Sequence, residues 1–147
     1  MSKPYQLLSH LAEFSNRQWS LEYRLTIHLL SPPEKEDATV FFYSKVLGLE
    51  EIPKPEPIKA FGGAWYSLGD IQIPVTVEKN PDNETSRRHI CYQVHDLNAF
   101  GQHIEAHGVE IFPDQNPIPG CKRFFLRDPA GNRIEIAELT QDFVAKA

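Results

Sequence analysis

Polar and apolar residues alternate from Glu22 to Leu30: Tyr23, Leu25, Ile27 and Leu29 fall between Arg24, Thr26 and His28. That period of two predicts a strand over 22–30. Ser31-Pro32-Pro33 ends it, because proline brings no amide hydrogen to a ladder. The pattern then turns helical over 34–47, with Val40, Phe41, Val46 and Leu47 among the apolar positions. Glu34, Glu36 and Asp37 suit the positive end of that helix, and Gly48 stops it. A short strand is expected at Leu49–Ile52. The piece PKPEP reads as a loop, and two strands follow at 62–68 and 71–78, joined at Gly69-Asp70. After the polar stretch 79–86 the order begins again. Residues 88–95 read as a strand, and Asp96 caps a helix that Gly108 ends. Val109–Phe112 is a short strand, and a loop rich in proline follows. Strands at 122–127 and 132–139 flank the turn DPAGN. Upstream, Leu7, Leu11 and Phe14 recur at helical spacing with Leu8 beside them, which predicts a helix over 4–18.

The order β-α-β-β-β thus appears twice. Each half places one helix on one face of a four-stranded sheet, and the opposite faces must also be covered. The expected fold is α+β. Its two βαβββ modules form a cup-shaped or barrel-like mixed sheet around one cavity, with an extra N-terminal helix. The expected boundaries are 1–21 for the helical extension and 22–140 for the domain, with modules 22–78 and 87–139. Residues 141–147 form a C-terminal tail.

Composition narrows the function classes. The 147 residues are 41% apolar and 24% charged, which suits one domain with its own core. A net charge of −5 with no basic run argues against nucleic acid. No run of about 18 apolar residues occurs, so no membrane span is expected. The N-terminal stretch lacks the pattern of a secretory signal. Cys91 and Cys121 make no disulfide framework and match no zinc motif, so a cytoplasmic setting with reduced thiols is expected. The apolar face of the first helix is suited to packing on the domain or on a second copy, and a homodimer is expected.

The pieces FYSKVLGLEEIPKPE, HICYQVHDLNAF and GVEIFPDQNPIPGCKRFFLRDPAGNRIEIAE are together specific. Through them, residues 24–139 resemble the glyoxalase/bleomycin resistance/dioxygenase superfamily, whose members share the vicinal-oxygen-chelate fold. The resemblance implies the fold far more strongly than a reaction. It implies a divalent metal (zinc, nickel, iron or manganese) bound by His, Glu or Gln on the first and last strands of each half, acting as a Lewis acid. His89 and Glu135 match two of those positions, and Glu135 is also the catalytic candidate. In the first half the positions fall on Thr26 and Pro74, which are not normal ligands. His28 shares the strand face of Thr26 and is a displaced third candidate.

Strand alternation fills in the pocket. With His89 and Glu135 facing inward, so do Cys91, Gln93, Arg133, Ala137, Arg123, Phe125 and Arg127. Trp65, Ser67 and Gln72 are the inward candidates of the first half. Two readings follow. One is a metal-dependent lyase, isomerase or dioxygenase acting on a small oxygenated compound. The other is a metal-independent binder of a small molecule or drug, using Trp65 and Phe125 for stacking and Arg123 for charge. In the second reading His89 and Glu135 are simply a hydrogen-bonded pair in a polar cavity.

Overall fold

A computed structural model describes residues 25–146. The expected helix over 4–18 lies outside them, as does the start of the first strand. The first module runs from β1 (Leu29–Ser31) through α1 (Glu36–Phe41), β2 (Glu50–Ile52) and β3 (Ala64–Leu68) to β4 (Ile71–Val77). The second runs from β5 (His89–Gln93) through α2 (Leu97–Ala106), β6 (Phe112–Pro113) and β7 (Cys121–Arg127) to β8 (Arg133–Leu139). A short helix, α3 (Gln141–Lys146), occupies the expected tail. The two sheets have the same strand order, β1-β4-β3-β2 and β5-β8-β7-β6. In each, the first strand lies parallel to the last and the remaining pairs are antiparallel. The α+β fold of two βαβββ modules is therefore present, but the sheets do not close into a barrel.

Three elements differ from the sequence pattern for physical reasons. The first strand shrinks to three laddered residues, with an outlying bridge between Thr26 and Gln72. Pro74 lies on β4 between that bridge and the Leu29–Val75 pair, and it has no N–H to give the ladder. The helix over 34–47 changes pitch twice, from a 3₁₀ turn at Pro33–Lys35 through α1 to a π turn at Phe42–Val46. The wide turn sends neighbouring Phe42 and Tyr43 both into the core, their rings edge to face at 5.2 Å. The strand expected at 109–112 shifts to Phe112–Pro113. Elsewhere the local signals hold. Asp96 accepts from the Ala99 N–H at 2.9 Å, capping α2.

One hydrophobic core runs through both modules. Tyr66, Ile73 and Val75 pack under the first helix, and Ile104 of α2 joins Leu126, Ile134 and Ile136. Each such side chain contributes roughly 1.5–3 kcal/mol by leaving water. The polar seam between modules is as specific as the core. The Tyr43 hydroxyl donates to Asp128 Oδ2 at 2.6 Å. Asn132 donates its backbone N–H to Asp128 Oδ1 at 2.9 Å, and its amide Nδ2 to Oδ2 at 2.8 Å. The same Nδ2 lies 3.0 Å from the Leu30 carbonyl, which also accepts from Asn83 Nδ2 at 2.8 Å. Two side-chain amides thus cover the outer edge of β1. Gly131, at φ +90°, closes the DPAGN turn that presents these groups.

Tyr43→Phe is expected to destabilise the protein by about 1–3 kcal/mol in urea denaturation, since it leaves a buried carboxylate short of a donor. Burial holds the Asp128 carboxyl above its ordinary range, while the Tyr43 and Asn132 bonds pull it down. With its folded pKa raised, Asp128 supplies stability that is full below its unfolded pKa and is lost as pH rises through the folded one. Tyr43 opposes that loss by stabilising the charged form. The gap between wild type and Tyr43→Phe should therefore be wider at pH 7 than at pH 4.

Candidate functional site

The register of the second sheet arranges its open face as a grid. Arg127, Arg133 and His89 form one row across β7, β8 and β5. Phe125, Glu135 and Cys91 form the next row, and Arg123, Ala137 and Gln93 the third. The alternate residues Phe124, Leu126, Ile134 and Ile136 are buried on the helix side. This is the division that strand alternation requires.

Glu135 is the centre of the grid, with a side chain only 9% exposed. Its Oε2 meets His89 Nε2 at 2.9 Å, and its Oε1 accepts from Arg123 Nη1 at 3.2 Å. The other ring nitrogen of His89, Nδ1, lies 3.0 Å from the Arg87 carbonyl. Arg123 donates from Nε to Asp114 Oδ2 at 2.7 Å, from Nη2 to Asp114 Oδ1 at 3.4 Å and to the Asn116 carbonyl at 3.3 Å. Asp114 was invisible to strand alternation because it sits in the loop after β6. Its signal was the Asx turn it makes with the Asn116 N–H, 3.0 Å away. The Arg123 guanidinium holds the Asp114 carboxyl below the usual carboxylate range. Hydrogen bonding to Asp114 in turn keeps Arg123 firmly charged.

Phe125 supplies the apolar part of the face. His89 meets its ring edge to face at 5.9 Å, and the guanidinium carbons of Arg133 and Arg123 lie 4.3 and 5.3 Å from its centroid. A cavity of about 570 Å³ opens above these residues, lined also by Arg87, Phe112 and Asp114. His28 lines a smaller cavity of about 190 Å³ together with His89 and Arg133. Trp65 lines a third, about 470 Å³, with Lys54, Ile58 and Phe61 on the first module. Ser67 and Gln72 are cross-strand partners on that same first sheet. The structure thus brings His89, Glu135, Cys91, Arg123 and Phe125 together. Trp65 lines a different cavity from Phe125, which departs from the one shared cavity expected of the sequence.

Among the described residues of this chain the donor set for a resident metal is incomplete: His89 and Glu135 meet, while His28 lines only the neighbouring cavity with His89. Both oxygens of Glu135 already have hydrogen-bond partners, and one of these is the Nε2 of His89, the nitrogen that the Arg87 carbonyl on Nδ1 would otherwise leave to a ligand. A cation at Glu135 would also meet the Arg123 guanidinium on the same carboxylate. Among the described residues no group of three or more His, Cys, Asp or Glu side chains is placed to hold an ion. Thr26 and Pro74 offer no strong side-chain donor in exchange.

Cys91 sits beside Glu135 in the grid. Desolvation pushes its thiol up to about 11, and the Glu135 carboxylate adds to the rise. It is therefore a poor nucleophile at neutral pH, although it is accessible. In a Cys121→Ser background, iodoacetamide should alkylate Cys91 slowly at pH 8, where about one thiol in a thousand is ionised. Adding Glu135→Gln should quicken the reaction, each unit of fall in pKa multiplying the thiolate about tenfold. A fast reaction in the parent would contradict this environment.

The family model described as Glyoxalase/Bleomycin resistance protein/Dioxygenase superfamily matches residues 28–136. No curated protein matches the chain. A solved glyoxalase family protein from Bacillus anthracis is 32% identical, with a TM-score of 0.73 over 84% of this chain and 100% of that one. Two more distant structures share the fold. The fosfomycin resistance protein FosX from Listeria monocytogenes is 18% identical, with a TM-score of 0.70 over 87% of this chain and 100% of its own. The antibiotic-binding protein TnmS3 from Streptomyces sp. CB03234 is 14% identical, with a TM-score of 0.63 over 84% and 100%. With a family match across most of its length and a relative of this similarity, the chain belongs to the glyoxalase/bleomycin resistance/dioxygenase superfamily.

Proposed function

We propose that this protein binds a small oxygenated organic molecule in the cavity over β7 and β8, without a resident metal in that cavity. The observation that carries the reading is the commitment of Glu135. Its two oxygens are held by His89 and Arg123, so the carboxylate is engaged within the protein and faces a guanidinium where the metal-dependent reading needs it free. The volume of about 570 Å³ is in the range of small-molecule sites. Phe112 and Phe125 offer apolar surface there, and Arg123 and Asp114 offer fixed polar groups. TnmS3 is an antibiotic-binding protein of the same fold, so such a role has a precedent. FosX has been solved in complex with Mn(II), which supports the competing, metal-dependent reading. In that reading His89, Glu135 and His28 are the ligands and Glu135 the catalytic group.

Titration calorimetry separates the two. Under the binder reading, wild type takes up no zinc, nickel or manganese with a Kd below roughly 100 μM, because two engaged donors make a poor site. Arg123→Met should gain affinity for zinc, since it frees one Glu135 oxygen and removes a neighbouring positive charge. Tight stoichiometric binding to wild type, lost in His89→Ala and Glu135→Gln, would instead support the metal-dependent reading.

The same proposal includes a homodimer in the cytoplasm. Both cysteines are free, as a reducing compartment allows. Phe61 and Leu68 are 67% and 45% exposed, apolar surface that a second copy would cover. Sedimentation at tens of micromolar should give twice the chain mass. A monomer at that concentration would rule the dimer out.

A further inference from the structure

The cavity over β7 and β8 holds more positive charge than the fold uses. Arg127 and Arg133 are direct cross-strand partners, a like-charge pairing that weakens a sheet. Arg87 lines the same cavity. Arg127 donates to the carbonyls of Asn83, Gly131 and Ser86 at 3.1, 2.7 and 3.5 Å, so its hydrogen bonds are satisfied but its charge is not. Arg133 lies over the Phe125 ring. Among the described residues neither Arg87 nor Arg133 has a carboxylate partner. The two acids nearby are both engaged by Arg123: Asp114 through Nε and Nη2, and Glu135 through Nη1. Four guanidiniums therefore stand against two carboxylates around one cavity, an excess of positive charge in a chain whose net charge is −5. Stability does not explain this placement. A ligand that brings the missing negative charge does.

We infer that the cavity takes an organic oxyanion, a phosphonate, phosphate or carboxylate head on a compact apolar body. Arg87 and Arg133 receive the head. Guanidiniums suit it because they offer paired N–H groups to two oxygens at once. Arg127 is pinned by its carbonyls and contributes a fixed field. Phe125 and Phe112 face the apolar body. Arg123 is excluded from the head because Asp114 and Glu135 already occupy it. The inference rests on the proposed small-molecule role and adds the chemical class of the ligand.

The test uses the full chain in chelator-treated buffer, with phenylphosphonate, benzoate and neutral benzamide as probes, read by calorimetry and by thermal shift. Phenylphosphonate or benzoate should bind and benzamide should bind at least roughly tenfold more weakly. Whichever anion is preferred identifies the head. Arg133→Gln and Arg87→Gln should each weaken the anion roughly tenfold, and raising the salt from 50 to 500 mM should weaken it several-fold. Lys59→Gln, a surface control on the first module, should change nothing. Arg87 lies in an exposed segment before β5, so its variant separates loss of binding from loss of folding. If benzamide binds as well as the anions, or neither arginine variant matters, the oxyanion assignment is overturned while the metal-free binder stands. Failure of both anions to bind at millimolar concentration also overturns it. If the anions bind only after zinc or manganese is added, the metal-free reading falls as well.

Discussion

The bond between the Tyr43 hydroxyl and Asp128 sets the relation between the two modules. Tyr43 belongs to the helix of the first module, and Asp128 opens the turn between β7 and β8 of the second. A buried carboxylate is costly unless its oxygens are filled, and here three donors fill them. That requirement fixes where the turn sits. Asn132, held by the same carboxylate, then reaches the Leu30 carbonyl on the edge of β1. One charge buried at one turn thus ties a helix, a strand edge and a hairpin into a single arrangement. The π turn at Phe42–Val46 belongs to the same solution, because Tyr43 lies within it and is fully buried there.

The hairpin that this seam anchors carries the grid of the candidate site. Its register alone decides that Glu135 lies between Phe125 and Cys91, and Arg133 between Arg127 and His89. A slip of one residue would turn all of them into the core. Glu135 is nearly buried and would be expensive there without compensation. Arg123 and His89 provide it, and Asp114 holds Arg123 from the far side. Such a network is worth more intact than in parts, since removing one member leaves the others buried and unpaired.

Much of the fold was legible in the sequence because its signals are local. Asp96 and Gly108 bound α2 by cap chemistry, DPAGN makes its turn, and period-two alternation separates Ile134 and Ile136 from Arg133 and Glu135. Contacts between distant segments were not legible. Nothing around Asp128 announces Tyr43, which lies 85 residues earlier. Asp114 escaped because a loop has no period to read. Trp65 and Phe125 were expected to share a cavity because alternation gives a face within one sheet, not the placement of one sheet against another. Pro74 was read as a missing ligand, and its effect on the ladder to β1 follows from the same lack of an N–H.

His89 and Glu135 show how residue type underdetermines chemistry. Imidazole and carboxylate at these two places would serve a metal if both presented free electron pairs. Two contacts change that. Arg123 places a permanent positive charge on Glu135, and Glu135 itself engages the Nε2 of His89. A divalent ion would have to part His89 from Glu135 and then sit beside a guanidinium, with Thr26 and Pro74 returning nothing and His28 the one further candidate donor. An anion entering the same cavity meets none of these obstacles and gains from Arg87 and Arg133. The sign of the field in this cavity, more than the identity of its two strongest donors, decides what it favours.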